Sequence, residues 1–161
     1  MTECPKLYLP KFDAELEVAD LCMGCFWAPD LYFSGVDGVL DVIVGYSGGT
    51  RSNPTYKNLK DHTETVRIVF DPNEIDYEEL LVHFASQCGL TDKREFRNQY
   101  RRAVFYHSQA QKCIAEDFIV AMQRAKRVQY VIDIQPASDF YMAEEYHQKY
   151  LEKKKLKKSR L

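Results

Sequence analysis

The stretch Leu21-Cys22-Met23-Gly24-Cys25-Phe26-Trp27 joins a predicted strand to a predicted helix. The run 18–23 is apolar except for Asp20, which is typical of a buried strand. Gly24 supplies a tight turn after it, and an amphipathic run follows. Cys25 is therefore expected at the start of a helix, where unpaired backbone N–H groups carry partial positive charge and favour a thiolate.

Composition narrows the class of protein. The chain has 161 residues, of which 45% are hydrophobic and 29% charged, as is typical of one soluble globular domain with its own core. The formal net charge of -2 gives no reason to expect nucleic acid or a membrane as a partner. Five cysteines, an odd number, do not resemble a secreted disulfide framework, and no signal segment or membrane span is visible. We expect a cytoplasmic monomer.

The order of predicted elements favours an α+β fold. Strands are predicted at 18–23, 39–46, 64–70, 103–106 and 129–135, with helices between most of them and a last helix at 143–155. Two consecutive strands in the middle favour a two-layer α/β sandwich, with a mixed, largely antiparallel sheet and a ferredoxin-like core. We expect a flexible arm at 1–16, a single domain at 17–155 and a basic tail at 156–161.

Three polar residues in the middle of the chain are weak candidates when each is taken alone. The strand 64–70 alternates in polarity, so it is predicted to be half-buried, and Glu64 has the parity of its apolar face. Glu64 can equally be a solvated edge carboxylate. Tyr56 and Tyr100 can simply pack.

Cys22 and Cys25 form a Cys-x-x-Cys pair, which raises the alternative of a thiol–disulfide exchange protein. The pair is reversed relative to redox domains, because here the second cysteine lies at the helix start. Cys22 is therefore interpreted as a core residue. A zinc site is disfavoured because the cysteines lack a second close pair, so no metal is expected.

The end of the chain is basic. Six basic residues fall within 153–160, and without them the formal net charge of the chain would be -8. The default interpretation is a solvated helix end, and the alternative is an electrostatic docking patch.

Several motifs occur in a fixed order along the chain. They are Gly24-Cys25-Phe26-Trp27, Gly45-Tyr46-Ser47-Gly48-Gly49, Asn53-Pro54-Thr55-Tyr56, His62-Thr63-Glu64, Gln99-Tyr100-Arg101 and a closing block at 140–151. Together they resemble peptide methionine sulfoxide reductases of the A type, over about residues 17–155. The resemblance implies thiol-dependent reduction of methionine-S-sulfoxide, free or in proteins, and hence repair of oxidised proteins.

The resemblance also assigns roles to individual residues. It makes Cys25 the nucleophile, Glu64 the proton donor, and Tyr56 and Tyr100 the hydrogen-bond donors to the sulfoxide oxygen. The residues that it implies for substrate binding are Phe26, Trp27, Glu95 and His147. Attack leaves a sulfenic acid on Cys25, which another thiol must reduce.

The reductant is left open by a departure from the family pattern. Many members reduce the sulfenic acid with a cysteine in the C-terminal tail, and this tail has none. The internal candidates are Cys88, Cys22 and Cys4. Otherwise an external thiol such as thioredoxin, glutaredoxin with glutathione, or dithiothreitol acts directly, and no bound cofactor is expected.

Two alternatives from other classes remain at the level of sequence. One is a non-catalytic homologue that binds sulfoxides or peptides, and the other is the exchange protein that uses Cys22 and Cys25. The retained set of Cys25, Glu64, Tyr56 and Tyr100 favours the enzyme, because binding alone needs no nucleophile.

Overall fold

The computed structural model of the protein describes residues 15–88 and 98–159. Its strands are β1 (Glu17–Met23), β2 (Val39–Ser47), β3 (Thr63–Phe70), β4 (Arg102–Tyr106), β5 (Asp133–Pro136) and β6 (Tyr141–Met142). Its helices are α1 (Trp27–Ser34), α2 (Tyr77–Cys88), α3 (Gln109–Lys126) and α4 (Tyr150–Ser159), with 3-10 turns at Asn98–Tyr100 and Glu145–His147. The predicted arm at 1–16 falls almost entirely outside the described residues.

Within these two ranges, the sheet has six strands in the order β5-β4-β1-β3-β2-β6. All neighbouring pairs are antiparallel except β4 and β5, which are parallel. The inner order β4-β1-β3-β2, built as strand-helix-strand-strand-helix-strand, is the ferredoxin-like arrangement. The predicted α+β fold with a mixed, largely antiparallel sheet is confirmed.

Helices α1, α2 and α3 pack against one face of the sheet, whereas α4 packs on α1. Local sequence fixes where α2 and α3 begin. At α2, the Glu79 backbone N–H donates to Asp76 Oδ1 at 2.8 Å, as the capping-box pattern predicts. At α3, the Gln111 backbone N–H donates to Ser108 Oγ at 3.1 Å. The helix face of the sheet carries the main core, which includes Leu21 and Ile68.

The strand β3 is buried along its whole length, so the prediction of a half-buried strand was wrong. Its back face is covered because Phe140 packs on Val69 and Ile43, and because the Arg67 guanidinium lies 4.3 Å from the Phe140 ring centroid. Arg67 also pairs with the buried Asp20 carboxylate at 2.8 Å. Alternating polarity therefore reflected a buried ion pair and not solvent.

The predicted helix at 143–155 was wrong in its first half. The backbone N–H of Ala143 donates to the Val44 carbonyl, and the Gln148 amide bonds both backbone groups of Val44. These bonds tie the segment to the edge of β2, so it forms the 3-10 turn Glu145–His147 in place of α-helical turns. Lys149 adopts a positive φ of 54°, and α4 begins only after it.

The end of α3 explains a second difference. Residues 129–132 were predicted as strand, but β5 begins at Asp133. Arg127 takes the left-handed conformation, and the backbone N–H of Tyr130 donates to Gln123 Oε1 at 2.9 Å, so this segment caps the helix. The two-residue β6 has no sequence signal of its own.

Candidate active site

The register of the sheet brings the ends of three strands together. Leu21 of β1 pairs with Val66 of β3, and Met23 pairs with Arg102 of β4. Continuing the first register by two residues places Met23 level with Glu64, directly before the turn that carries Cys25. Tyr100 precedes β4 at the same end.

Cys25 is exposed and unpaired, and it lies between a tight turn and the first residue of α1. Gly24 has a φ of 86°, which a residue with a side chain adopts only with strain. Burial of the sulfur raises the pKa of the Cys25 thiol, the Trp27 backbone N–H lowers it, and the Glu64 carboxylate raises it further. The expectation of a lowered thiol pKa was therefore wrong for the substrate-free site.

Glu64 points into the protein, as the strand parity predicted, and its residue exposure is 1%. Its Oε1 accepts from the Phe26 backbone N–H at 3.2 Å, and its Oε2 accepts from Gln99 Nε2 at 2.7 Å. Burial raises the pKa of Glu64, while these two hydrogen bonds act in the opposite direction. The carboxyl is thus held beside Cys25 in an environment that favours its protonated form.

Cys25 and Glu64 influence each other's protonation. A carboxylate at Glu64 disfavours a thiolate at Cys25, because two negative charges would lie close together. Moving one proton from sulfur to the carboxyl leaves the pair's total charge unchanged. The pair can therefore present a thiolate and a neutral acid at the same time, without the energetic cost of adding charge to the site.

Tyr100 and Tyr56 lie close to Cys25 and Glu64. Gln99 Nε2 donates to the Tyr100 hydroxyl oxygen at 3.0 Å, and burial followed by a hydrogen bond to Tyr56 raises the Tyr100 pKa. The Tyr100 phenol therefore keeps its proton at neutral pH. Tyr56 is 37% exposed, so its hydroxyl group can meet an incoming molecule.

An aromatic wall, formed by Phe26, Trp27, His147 and Tyr150, starts at the two residues that follow Cys25. Trp27 Nε1 donates to His147 Nδ1 at 3.0 Å, so His147 carries its proton on Nε2 when neutral, and burial lowers the pKa of His147. Its buried Nε2 has no hydrogen-bond partner among the residues that the structure describes. The Tyr150 ring stacks on Trp27, with centroids 3.9 Å apart.

Three residues of the site were not singled out from the sequence. Gln99 bridges Glu64 and Tyr100, and its signal was its place in Gln99-Tyr100-Arg101. Glu144 and Tyr150 belong to the closing block, but a predicted helix there concealed their separate contacts.

Glu144, which lies between β6 and the 3-10 turn Glu145–His147, positions the loop that carries Tyr56. Its Oε1 accepts from the Tyr46 hydroxyl at 2.8 Å, and its Oε2 accepts from the Tyr56 backbone N–H at 3.0 Å. Burial alone would raise the Glu144 pKa, but the Tyr56 backbone N–H and the Tyr46 hydroxyl lower it overall. Glu144 is therefore a charged acceptor for two donors.

We predict that Glu144→Gln lowers the free energy of unfolding by about 1–3 kcal/mol, because the amide cannot accept from both donors. Chemical denaturation measures this loss. Tyr46→Phe is the matched control, since it removes only one of the two donors and should cost less. Equal stability of Glu144→Gln and wild type would contradict this role.

The same role predicts a pH dependence of stability. Because folding lowers the pKa of Glu144, its contribution to the free energy of unfolding should be present at neutral pH and disappear as the pH falls through that pKa.

The other cysteines are placed unlike Cys25. Cys22 is buried on the back face of the sheet, with its sulfur 3.3 Å from Thr65 Oγ1, and burial raises its pKa to about 12. Cys88 is buried at the end of α2, and burial raises its pKa to about 12 as well. Both are free thiols. Cys4 and Glu95 lie outside the described residues.

A cavity of about 450 Å³ lies at the opposite end of β1, lined by residues that include Glu17, Tyr77 and Gln111. None of the catalytic, substrate-binding or resolving residues predicted from the sequence lines this cavity. Within residues 15–88 and 98–159, no group of three or more His, Cys, Asp or Glu side chains is arranged to hold a metal ion. In the same two ranges, none of the helices combines the length and the apolar character needed to cross a membrane.

The fold and the site together define a class of protein: an α+β domain that sets an exposed thiol beside a buried carboxyl. Comparison with known proteins gives the family. Residues 17–161 match the family model described as peptide methionine sulfoxide reductase. The chain is 42% identical to the peptide methionine sulfoxide reductase MsrA of Acidobacterium capsulatum, over 83% of this chain and 92% of that protein. It is 39% identical to peptide methionine sulfoxide reductase A2-1 of Oryza sativa, over 86% and 78% of the two chains.

Solved structures agree. The reduced form of Mxr1 from Saccharomyces cerevisiae has a TM-score of 0.79 and 28% identity, covering 89% of this chain and 88% of that chain. Methionine sulfoxide reductase A of Corynebacterium diphtheriae has a TM-score of 0.75 and 28% identity, covering 89% and 77%. The chain therefore belongs to the peptide methionine sulfoxide reductase family, and it is an oxidoreductase of that class.

Proposed function

We propose that this protein reduces the S epimer of methionine sulfoxide, free or in oxidised proteins, with Cys25 as nucleophile and Glu64 as proton donor. The observation that carries the proposal is the environment of the Glu64 carboxyl. The carboxyl is buried, its pKa is raised by that burial, and it accepts a hydrogen bond from the Phe26 backbone N–H, next to Cys25. A sulfoxide oxygen leaves sulfur only when it is protonated or strongly hydrogen-bonded. The site supplies a nucleophile and an acid from adjacent positions.

The first step transfers the sulfoxide oxygen to the sulfur of Cys25. The Cys25 thiolate attacks, the S–O bond of the sulfoxide breaks, and the oxygen ends on the cysteine sulfur. The Glu64 proton goes to that oxygen, so the products are methionine and a Cys25 sulfenic acid. The substrate gains two electrons, and the cysteine loses them. Tyr56 and Tyr100 donate hydrogen bonds to the oxygen as its negative charge grows.

The aromatic wall holds the substrate. Trp27 is only partly buried and offers apolar surface to the methyl group of the thioether, while Phe26, which is 1% exposed, packs against the His147 ring from the interior. The free Nε2–H of His147 is a buried donor that a polar group of the substrate can satisfy. His147 and Trp27 are thus proposed as binding residues, and Glu95 keeps the binding role that the resemblance implied.

An external thiol completes the cycle. It condenses with the sulfenic acid, releases water and leaves a mixed disulfide, which a second thiol resolves. Cys22 and Cys88 are unsuited to this step, because both are buried and both have a pKa of about 12. Yeast Mxr1 has also been solved in complex with Trx2. We propose a thioredoxin-type dithiol, or glutathione with glutaredoxin, as the reductant in an intracellular setting.

The test of the function is an assay on N-acetyl-methionine sulfoxide prepared as separate S and R epimers, with dithiothreitol as reductant. We expect turnover of the S epimer alone. Turnover of a disulfide substrate with none of either sulfoxide would favour the thiol–disulfide exchange protein. Tight sulfoxide binding without turnover would favour a binding homologue.

The recycling route gives a separate prediction. Cys22→Ser/Cys88→Ser should keep at least about half of the wild-type turnover with thioredoxin, because neither buried thiol is ready to attack. Mass spectrometry after one equivalent of methionine sulfoxide should show a sulfenic acid on Cys25 in both proteins. A disulfide from Cys25 to Cys88 or Cys22 in the wild type would overturn this route, and Cys4→Ser tests the remaining cysteine in the same way.

A further inference from the structure

The last helix carries lysines on the side that faces the aromatic wall. A turn of about 100° per residue puts Lys154 and Lys157 within about 40° of Tyr150 around α4, whereas Lys155 is turned away by about 140°. The contact that fixes this side is observed, because Lys154 Nζ lies 5.9 Å from the centre of the Tyr150 ring. Both lysines are exposed.

Tyr150 connects these lysines to the site. Its ring stacks on Trp27 at 3.9 Å, with 15° between the planes. Trp27 follows Cys25 by two residues and bonds His147, so α4 starts at the edge of the proposed substrate site. The two lysines therefore follow on a helix whose first residue lies at the edge of the place where the oxidised methionine would be held.

Their charges are available to a partner. Lys153 is partly neutralised by Glu145, with its Nζ 3.5 Å from the carboxylate. Within the part of the chain that the structure describes, no carboxylate forms an ion pair with Lys154 or Lys157. The basic run at 153–160 contrasts with a charge of -8 for the remainder, so an acidic polypeptide is attracted to α4 and repelled by the chain as a whole.

We propose that Lys154 and Lys157 form a specificity surface for protein substrates that carry Asp or Glu close to the oxidised methionine. This inference rests on the proposed function and names the substrate class of the same site. At a rise of about 1.5 Å per residue, the two lysines lie about 6 and 10 Å beyond Tyr150 along α4. An extended peptide advances about 3.3 Å per residue, so acidic residues about two to four positions from the sulfoxide fall opposite them.

The experiment compares two synthetic peptides that each contain one methionine-S-sulfoxide. One has Asp and the other Ser at the positions two to four residues away, on both sides. We expect the Asp peptide to have the higher kcat/KM, by about three- to tenfold in about 20 mM salt, through a lower KM with an unchanged kcat. The preference should fall below about twofold in about 500 mM salt, because exposed charges are screened.

Two double variants with the same change in charge test whether Lys154 and Lys157 cause the preference for the Asp peptide. Lys154→Gln/Lys157→Gln should abolish the preference, and Lys112→Gln/Lys155→Gln, with the same change in charge, should keep it. Lys112 lies on α3, near Tyr106. Equal kcat/KM for the two peptides in the wild type, or a preference that survives in Lys154→Gln/Lys157→Gln, would overturn the proposal.

Two further readouts separate this proposal from the catalytic one. N-acetyl-methionine-S-sulfoxide has no flanking residues, so all three proteins should reduce it equally, and failure of the wild type on it would reject the proposed function instead. Binding of the same two peptides to Cys25→Ser, measured by fluorescence anisotropy, requires no turnover. Equal dissociation constants there would reject the specificity surface on its own.

Discussion

Cys25→Ser should reduce the turnover of N-acetyl-methionine-S-sulfoxide with dithiothreitol to the uncatalysed background. Serine fits the space of the exposed Cys25 between Gly24 and α1, so the fold should be retained. Its hydroxyl group has a far higher pKa than a thiol and is a poor nucleophile toward sulfur, so the first step has no replacement. The loss therefore comes from chemistry and not from binding.

The matched controls for this variant are the other described cysteines. Cys113→Ser changes an exposed thiol on α3, and Cys22→Ser changes the neighbouring buried thiol. We expect near-normal turnover from both, with a modest loss of stability for Cys22→Ser, because its sulfur contacts Thr65 Oγ1 inside the protein. Full activity in Cys25→Ser, or background activity in Cys113→Ser, would contradict the role of Cys25.

Much of the fold followed from local patterns. The boundaries of β1 to β4 and the side-chain caps of α2 and α3 depend on residues close together in the sequence, so polarity patterns and cap residues are enough to predict them. The start of β5 was predicted too early, and β6 was not predicted. The segment 143–149 did not follow, because the edge of β2 decides its conformation through Gln148. A competing long-range bond has no signature in a window of neighbouring residues.

For the candidate site, too, sequence reasoning predicted some features and missed others. Cys25 was visible from its turn and helix, and the inward direction of Glu64 from strand parity. The predicted direction of the Cys25 pKa shift was wrong, because burial, which is its largest cause, and the charge of the sequence-distant Glu64 together outweigh the Trp27 backbone N–H. Gln99 was likewise outside sequence reasoning, since its two hydrogen bonds exist only after β3 and β4 have joined the sheet.

Glu64→Gln should lower kcat by about 10²–10⁴-fold near neutral pH, the usual contribution of one acid–base group. Glutamine has nearly the same shape and keeps the acceptor for the Phe26 backbone N–H, but it loses the acceptor for Gln99 Nε2, and its amide has no acidic proton to transfer. Thermal unfolding monitored by circular dichroism should show that the variant is folded. Glu64→Asp is the second variant. It keeps a carboxylic acid but places it one methylene further from Cys25, so it should retain more activity than Glu64→Gln.

The shape of the pH–rate profile distinguishes this role from a structural one. In the wild type, the active form holds one proton between Cys25 and Glu64, so kcat/KM should rise through the Glu64 pKa and fall above the Cys25 pKa. In Glu64→Gln, only the thiolate is needed, and the remaining rate should rise with pH to a plateau without the alkaline fall. That rise should also occur at lower pH than the alkaline limb of the wild type, because the carboxylate that raises the pKa of Cys25 is gone.

Stability gives an independent check on the same carboxyl. Folding raises the Glu64 pKa above its ordinary value of 4.5, so the folded state binds this proton more tightly than the unfolded state does. The contribution of Glu64 to wild-type stability should therefore be most favourable at acid pH and diminish as the pH rises from about 4.5 through the folded-state pKa. Glu64→Gln should lose that dependence. An unchanged rate at neutral pH, or a bell-shaped profile that persists in Glu64→Gln, would remove Glu64 from the proposed chemistry and leave Tyr56 and Tyr100 as the proposed donors to the sulfoxide oxygen.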